Sequence, residues 1–199
     1  MRKIFTPEFK KQILDFAQSV IVAIVICIFI ITFVAAPNEV DGTSMQPNYA
    51  TGDRLYTNRL SHWIGDTTVG KSIGLDYKRG DVVVVEKPGI VPLIKRIIGL
   101  PGETLRISGG KVYINDKLLE ESYLPEGTET NQGTFLKENV AVQIPSDNYF
   151  VMGDNRKVSS DSRYIGLIER DWLQGKIFLR IWPANEIGIV TTGETQLQN

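Results

Sequence analysis

The sequence predicts a mostly β domain, largely antiparallel, carried on a single N-terminal transmembrane helix. Three observations predict it. An apolar run ends near residue 36. After residue 80, short β-branched stretches alternate with Gly/Pro/Asn/Asp turns, which is the spacing of an antiparallel sheet. No long helical period appears beyond the apolar run.

Residues 20–36 (VIVAIVICIFIITFVAA) hold 17 residues with Thr32 as the one clearly polar side chain. Extending back to residue 13 gives 24 residues, roughly 36 Å of helix at 1.5 Å per residue. That length spans a ~30 Å hydrocarbon core with some tilt. Asp15 and Gln18 are placed near the entry interface, because a mid-bilayer carboxylate is costly. A cleaved secretory signal is the competing reading, and Val34-Ala35-Ala36 is a cleavage-like match. The run exceeds the usual signal core of about 7–15 residues, which favours an anchor. Arg2, Lys3, Lys10 and Lys11 precede the run, while Glu39 and Asp41 follow it. The positive-inside rule then sets residues 1–12 in the cytoplasm, 13–36 in the membrane and the remainder outside.

Net charge is -1 over 199 residues, with a pI near 5.9. No global basic footprint marks the chain as a nucleic-acid partner. Cys27 is the single cysteine and lies within the apolar run. It forms no internal disulfide, and with His62 as the lone histidine a Cys/His metal cage is unexpected. No metal or cofactor is expected.

The outer segment reads in order. Pro37 is taken to end the helix. Gly42 and Pro47 bracket Ser44 with turn chemistry. The eight residues from 36 to 44 reach at most about 28 Å, so Ser44 stays close to the headgroups. Residues 53–57 read as a short strand. Residues 61–79 lack a period and read as a loop. Within it, Trp63 and Ile64 fit either the membrane interface or burial under the β domain. Residues 81–86 (DVVVVE) form a continuous β-branched run, typical of a strand buried on both faces. Residues 91–98, 104–107, 111–114, 140–144, 149–152 and 176–182 are further strands, with Gly109-Gly110 as a hairpin turn. Residues 120–138 read as a polar surface loop, 168–173 as a helical turn and 194–199 as a loose tail.

Three features stand out chemically. Ser44 sits between small and turn-forming residues. Lys95 lies mid-strand among Leu93, Ile94, Ile97 and Ile98. Residues 153–163 (GDNRKVSSDSR) contain nine polar residues in eleven. Strand alternation sends Lys95 inward if Arg96 faces water. A buried ammonium loses charge, and an amine with pKa ~7–8 works as a general base at neutral pH. Such an amine activates a serine hydroxyl. An exposed strand-edge lysine is the alternative. A Ser44–His62 triad oriented by Asp53, Asp66 or Asp81 is the other; the glycine-rich surroundings of His62 disfavour it, and a solvated surface position is expected there.

These residues resemble the bacterial type I signal peptidases. The match runs in that family's order: membrane anchor, GTSMQP (42–47), RGDVVVV (79–85), IKRIIGLPGE (94–103) and GDNRKVSSDSRYIG (153–166). The resemblance implies a membrane-bound Ser–Lys endopeptidase that removes signal peptides from exported preproteins. It implies Ser44 as nucleophile and Lys95 as general base. Ser159 is expected to hydrogen-bond the lysine, with Asp161 and Arg163 bracing the site. Met45 and Pro47 shape the serine turn. Gly42 stands where some members carry a second oxyanion-hole hydroxyl, so that side-chain donor is missing. The resemblance further implies a β-barrel-like catalytic core over 37–193, with residues 103–148 as a reduced β-hairpin lobe. Substrates are expected to carry small residues at -1 and -3, read by shallow pockets walled by Val40, Met45, Leu93 and Ile94. Self-cleaving repressors share the Ser–Lys pair but carry a DNA-binding helix-turn-helix in place of the anchor. A membrane-tethered binding module or inactive paralogue is the non-enzymatic alternative.

Overall fold

The computed structural model describes residues 7–198. Arg2 and Lys3, used above for orientation, lie outside the described residues. Helix α1 (Pro7–Phe29) begins six residues ahead of the expected anchor. Proline suits a first helical turn, and Glu8 complements the positive end of the helix. None of its residues is buried, and it is long and apolar enough to cross a membrane. A π-helical turn, Ile30–Val34, follows. The chain then enters strand β1 (Ala35–Glu39). The helix thus ends before Ala35, and Pro37 is an edge-strand residue rather than the helix stop. A sheet edge tolerates proline because its missing N–H faces no partner strand.

Strand β2 (Arg54–Asn58) pairs with β1, Ala35 opposite Asn58. The expected loop at 61–79 instead holds two short helices, α2 (Leu60–Ile64) and α3 (Thr68–Ser72). The Thr67 hydroxyl caps α3 by accepting from Gly70 N at 3.0 Å. Thr67 stands immediately before α3, but the segment is too short to show a period. Strands β3 (Val82–Val85) and β4 (Leu93–Gly99) follow. Val83 and Val85 enter one core cluster, Val82 and Val84 another, as a strand covered on both faces requires.

Strands β5 (Thr104–Ser108), β6 (Lys111–Ile114) and β7 (Lys117–Glu121) form a meander. The β6–β7 turn places Asn115 and Asp116 at φ 50° and 63°, the left-handed geometry of a two-residue hairpin. Strand β7 was not anticipated: KLLEE has no β-branched residue, and pairing alone makes it a strand. Strand β8 (Val142–Gln143) is shorter than expected, and β9 (Asn148–Met152) returns to the main sheet. Helix α4 (Ser162–Ile165) leads to β10 (Ile168–Glu169) and a 3-10 turn, Arg170–Trp172. Residues 168–173 are therefore part strand and only part helical. The long β11 (Leu173–Trp182) precedes β12 (Gly188–Ile189). The tail is not loose. Its strand β13 (Thr195–Leu197) pairs with β7, giving an otherwise open edge its partner.

The main sheet runs β1-β2-β11-β3-β4-β9-β10, with β12 on β11; the second sheet runs β13-β7-β6-β5-β8. Every strand pair is antiparallel. The second sheet covers the expected lobe at 103–148 plus the tail. Its core (Leu105, Ile107, Val112, Ile114, Leu136) is continuous with Ile98, Phe150 and Met152 of the main sheet.

Candidate active site

Ser44 sits on the loop between β1 and β2. The loop is closed at its base by Val40 N to Asp53 O and Gly52 N to Val40 O, both 2.9 Å. Gly42 has φ +91°, a conformation that strains any side chain. The missing hydroxyl at that position follows from the turn geometry. Met45 is buried at 1% exposure and pins the loop to the core beside Tyr49 and Leu55. Tyr49 N donates to Met45 O at 3.0 Å, and Pro47 is exposed within that turn.

Strand β4 brings Lys95 to the serine. Register fixes it opposite Val83 of β3. Its Nζ lies 2.7 Å from Ser44 Oγ and 3.0 Å from the Ile94 carbonyl. Lys95 is 2% exposed. Burial lowers its pKa from 10.5 to about 8; the carboxylates of Asp161 and Asp154 oppose that fall, and Arg163 assists it. The shift corresponds to about 3 kcal/mol against the charged form. Two carboxylates thus lie near enough to act on Lys95. They fail to hold the charge on Lys95 because each is already paired with an arginine.

The 153–163 block supplies those pairs. Asp154 accepts from Arg96 Nε at 2.8 Å and Nη2 at 2.6 Å, and from Asn48 Nδ2 at 2.8 Å. Arg96 is 3% exposed, so it does not face water as the alternation argument assumed. Its guanidinium stacks 3.9 Å from the centre of the Tyr123 ring. Asp161 caps α4 and accepts from Gly153 N at 3.0 Å. It also forms a two-point pair with Arg163, Nε and Nη2 both at 2.8 Å. Arg163 Nη1 reaches the carbonyls of Arg156 (2.8 Å) and Asn131 (3.1 Å). Both partners are wholly buried, so the pair holds the loop in one shape.

Asn155 was not singled out, yet it grips the backbone of the Ser44 turn directly. Its N–H donates to Ser44 O at 2.9 Å and its Nδ2 to Thr43 O at 3.1 Å. Its place inside GDNR was the available signal. Gly153 lets this loop close, since a Cβ there meets Ser44 O at 2.4 Å and Ser159 Oγ at 2.3 Å.

Three expectations are corrected. Ser159 Oγ is buried without a hydrogen-bond partner, and Lys95 donates to Ile94 O in its place. Val40 and Met45 are core residues at 3% and 1% exposure, so neither walls an open pocket. Leu93 and Ile94 are half-buried, and only they retain a surface there. His62 is half-buried rather than a free surface residue: its Nδ1 meets Leu173 O at 2.7 Å, tying α2 to β11. Its candidate orienting acids are engaged elsewhere, Asp66 with Arg170, Asp81 with Lys176 and Asp53 with Arg180. Among the described residues no group of His, Cys, Asp and Glu is arranged to hold a metal ion.

The family profile described as "Signal peptidase, peptidase S26" matches residues 13–182. The chain belongs to that family. It is a hydrolase of the peptidase class. The Signal peptidase I of Bacillus amyloliquefaciens is 36% identical over 182 residues, covering 89% of this chain and 92% of the relative. Signal peptidase I S of Bacillus subtilis is 36% identical over 183 residues, with 89% and 94% covered. Probable signal peptidase I-2 of Synechocystis is 34% identical over 185 residues, with 89% and 77% covered. A crystal structure of a signal peptidase I from Enterococcus faecalis V583 aligns with a TM-score of 0.42 at 29% identity, over 51% of this chain and 96% of that one.

Proposed function

We propose that this protein is a membrane-anchored serine endopeptidase that removes N-terminal signal peptides from exported preproteins, with Ser44 as nucleophile and Lys95 as general base. The observation that carries the reading is the 2.7 Å contact between the Nζ of buried Lys95 and the Oγ of half-buried Ser44. An amine titrating at about 8 is largely neutral only in mildly alkaline water, yet keeps a usable neutral fraction at pH 7.

In this mechanism neutral Lys95 takes the Ser44 proton as Oγ attacks the carbonyl of the residue at -1. The tetrahedral oxyanion is received by the Ser44 N–H. Lys95 then delivers its proton to the leaving amine, and the mature chain departs. Water, deprotonated by the same lysine, attacks the acyl-enzyme, frees the signal peptide and restores the Ser44 hydroxyl. Asn155, Asp161 and Arg163 hold the two reacting side chains in register. The substrate lies extended near Leu93 and Ile94, with small residues at -1 and -3 because the core beneath is already filled by Val40 and Met45. α1 crosses the bilayer with its N-terminus in the cytoplasm, which sets the β domain outside.

Cleavage of a labelled preprotein in lipid vesicles tests the reading. Ser44→Ala removes activity entirely, and Lys95→Ala lowers it by about 10²–10⁴-fold, the usual worth of a positioned base. Full activity of Lys95→Ala would remove the lysine from the chemistry. Binding of preprotein by the wild-type chain with no cleavage would favour a tethered binding module.

A further inference from the structure

The α2–α3 excursion does nothing for the chemistry above, yet it exposes more apolar surface than a water-facing connection should. Trp63 is 61% exposed, Val69 63% and Ile73 62%. Ile73 caps α3 four residues after Val69, and its N–H donates to Val69 O at 3.1 Å. Burial under the β domain, the alternative reading for Trp63, is therefore excluded. Asp66 is paired with Arg170, while Lys71 is an exposed cation at the end of α3.

The location identifies the partner. Arg59 N donates to Val34 O at 2.9 Å, immediately before α2 and at the last residue of the helical anchor. Ala35 pairs with Asn58 in the same register. So α2 starts where the chain leaves α1, and Trp63 lies about one helical turn further on. Tryptophan is favoured at the lipid–water boundary, and apolar residues beside a cation suit a headgroup surface.

The excursion is also firmly attached to the catalytic β domain. His62 bonds the β11 carbonyl of Leu173, and Arg170 donates to Ser61 O at 3.1 Å. α2 and α3 pack so closely that a Cβ on Gly70 would lie 1.8 Å from Ile64 O. A displacement of this segment is therefore transmitted to the sheet that carries Lys95.

We propose that α2–α3 is a lipid-docking foot: Trp63, Val69 and Ile73 seat in the boundary between headgroups and acyl chains and hold the Ser44 site at a fixed height above the bilayer. This rests on α1 spanning the membrane. It adds a second contact that a flexible tether would not provide.

The test uses the full chain in phosphatidylcholine/phosphatidylglycerol vesicles. Trp172→Phe and Trp182→Phe leave Trp63 as the sole tryptophan. Lipids brominated high on the acyl chain should quench Trp63 fluorescence, and aqueous iodide should not. The reverse pattern in a chain that stays with the vesicles through an alkaline wash would overturn the foot alone. Loss of the chain in that wash would overturn the anchor, and the foot with it. A Val69→Asp/Ile73→Asp variant should lose the bromolipid quenching. It should cleave a vesicle-embedded preprotein several-fold more slowly and a soluble peptide in detergent at the wild-type rate. Unchanged cleavage of the embedded preprotein would overturn the positioning role.

Discussion

Two neighbouring cations on β4 meet opposite fates. Lys95 and Arg96 are 2% and 3% exposed. Arg96 keeps its charge: burial alone lowers its pKa, but the hydrogen bonds and charge of Asp154 outweigh burial and hold it above the usual value. Lys95 has a serine hydroxyl and a carbonyl for partners, no carboxylate in contact, and its pKa falls to about 8. Burial is common to both, so burial does not decide the charge. The partner decides it, and the arginines decide it for Lys95 by occupying both nearby carboxylates. The structural side of the strand is an ion pair, and the chemical side is an amine denied one.

The sharpest way to break this comparison is to restore a permanent charge at position 95. Lys95→Arg should lower preprotein cleavage by about 10²–10⁴-fold, because a guanidinium does not deprotonate near neutrality. Cleavage at the wild-type rate would show that proton acceptance is not what Lys95 does. The next test removes the arginine's partner. Asp154→Ala should destabilise the protein by about 3–5 kcal/mol in urea unfolding, since Arg96 is left buried and unpaired. Arg96→Met/Asp154→Leu together should recover much of that loss. Failure to recover would mean that the Asn48 contact or the loop shape, not the charge, is what the pair protects.

A third test reads the lysine through stability. Its folded pKa, about 8, lies below its ordinary 10.5. Between those values the unfolded chain binds more protons, so stability rises with pH across that window. Below pH 8 the full penalty is present. Lys95→Met should therefore gain up to about 3 kcal/mol at pH 7, with the gain fading between pH 8 and 10.5. Cleavage by the wild type should rise through pH 8 and then level. A pH-independent gain would point to packing alone. The smallest effect is expected for His62→Ala. It leaves soluble-peptide cleavage near wild type and costs about 1 kcal/mol for the lost Leu173 contact. A collapse of that activity would revive a histidine-based site.

The sequence made much of this readable. The apolar run, the β-branched DVVVVE stretch and the Gly109-Gly110 turn are local signals, and each produced the element it implies. Ser44 and Lys95 could be paired because turn chemistry and a charge amid aliphatic neighbours are visible one residue at a time. The dense polar block was visible by composition, and Asp161 and Arg163 were picked out of it only by the family resemblance. What was missed depends on distant partners. β7 and β13 have weak strand composition and exist because they pair with one another. Arg96 was assigned to water by alternation, since alternation cannot see a second buried layer on the far face. Ser159 was placed against Lys95, but the Ile94 carbonyl occupies that hydrogen bond.

The chain alone determined an apolar helix, a succession of short strands, and the identities of an alcohol and an amine 51 positions apart. Such properties follow from side-chain transfer energies and local dihedral preferences. Only tertiary structure decided that the amine is dry, that both nearby carboxylates are taken, and that Asn155 holds the serine turn. Those are outcomes of long-range packing, in which charge depends on which partners the fold brings within a few ångströms.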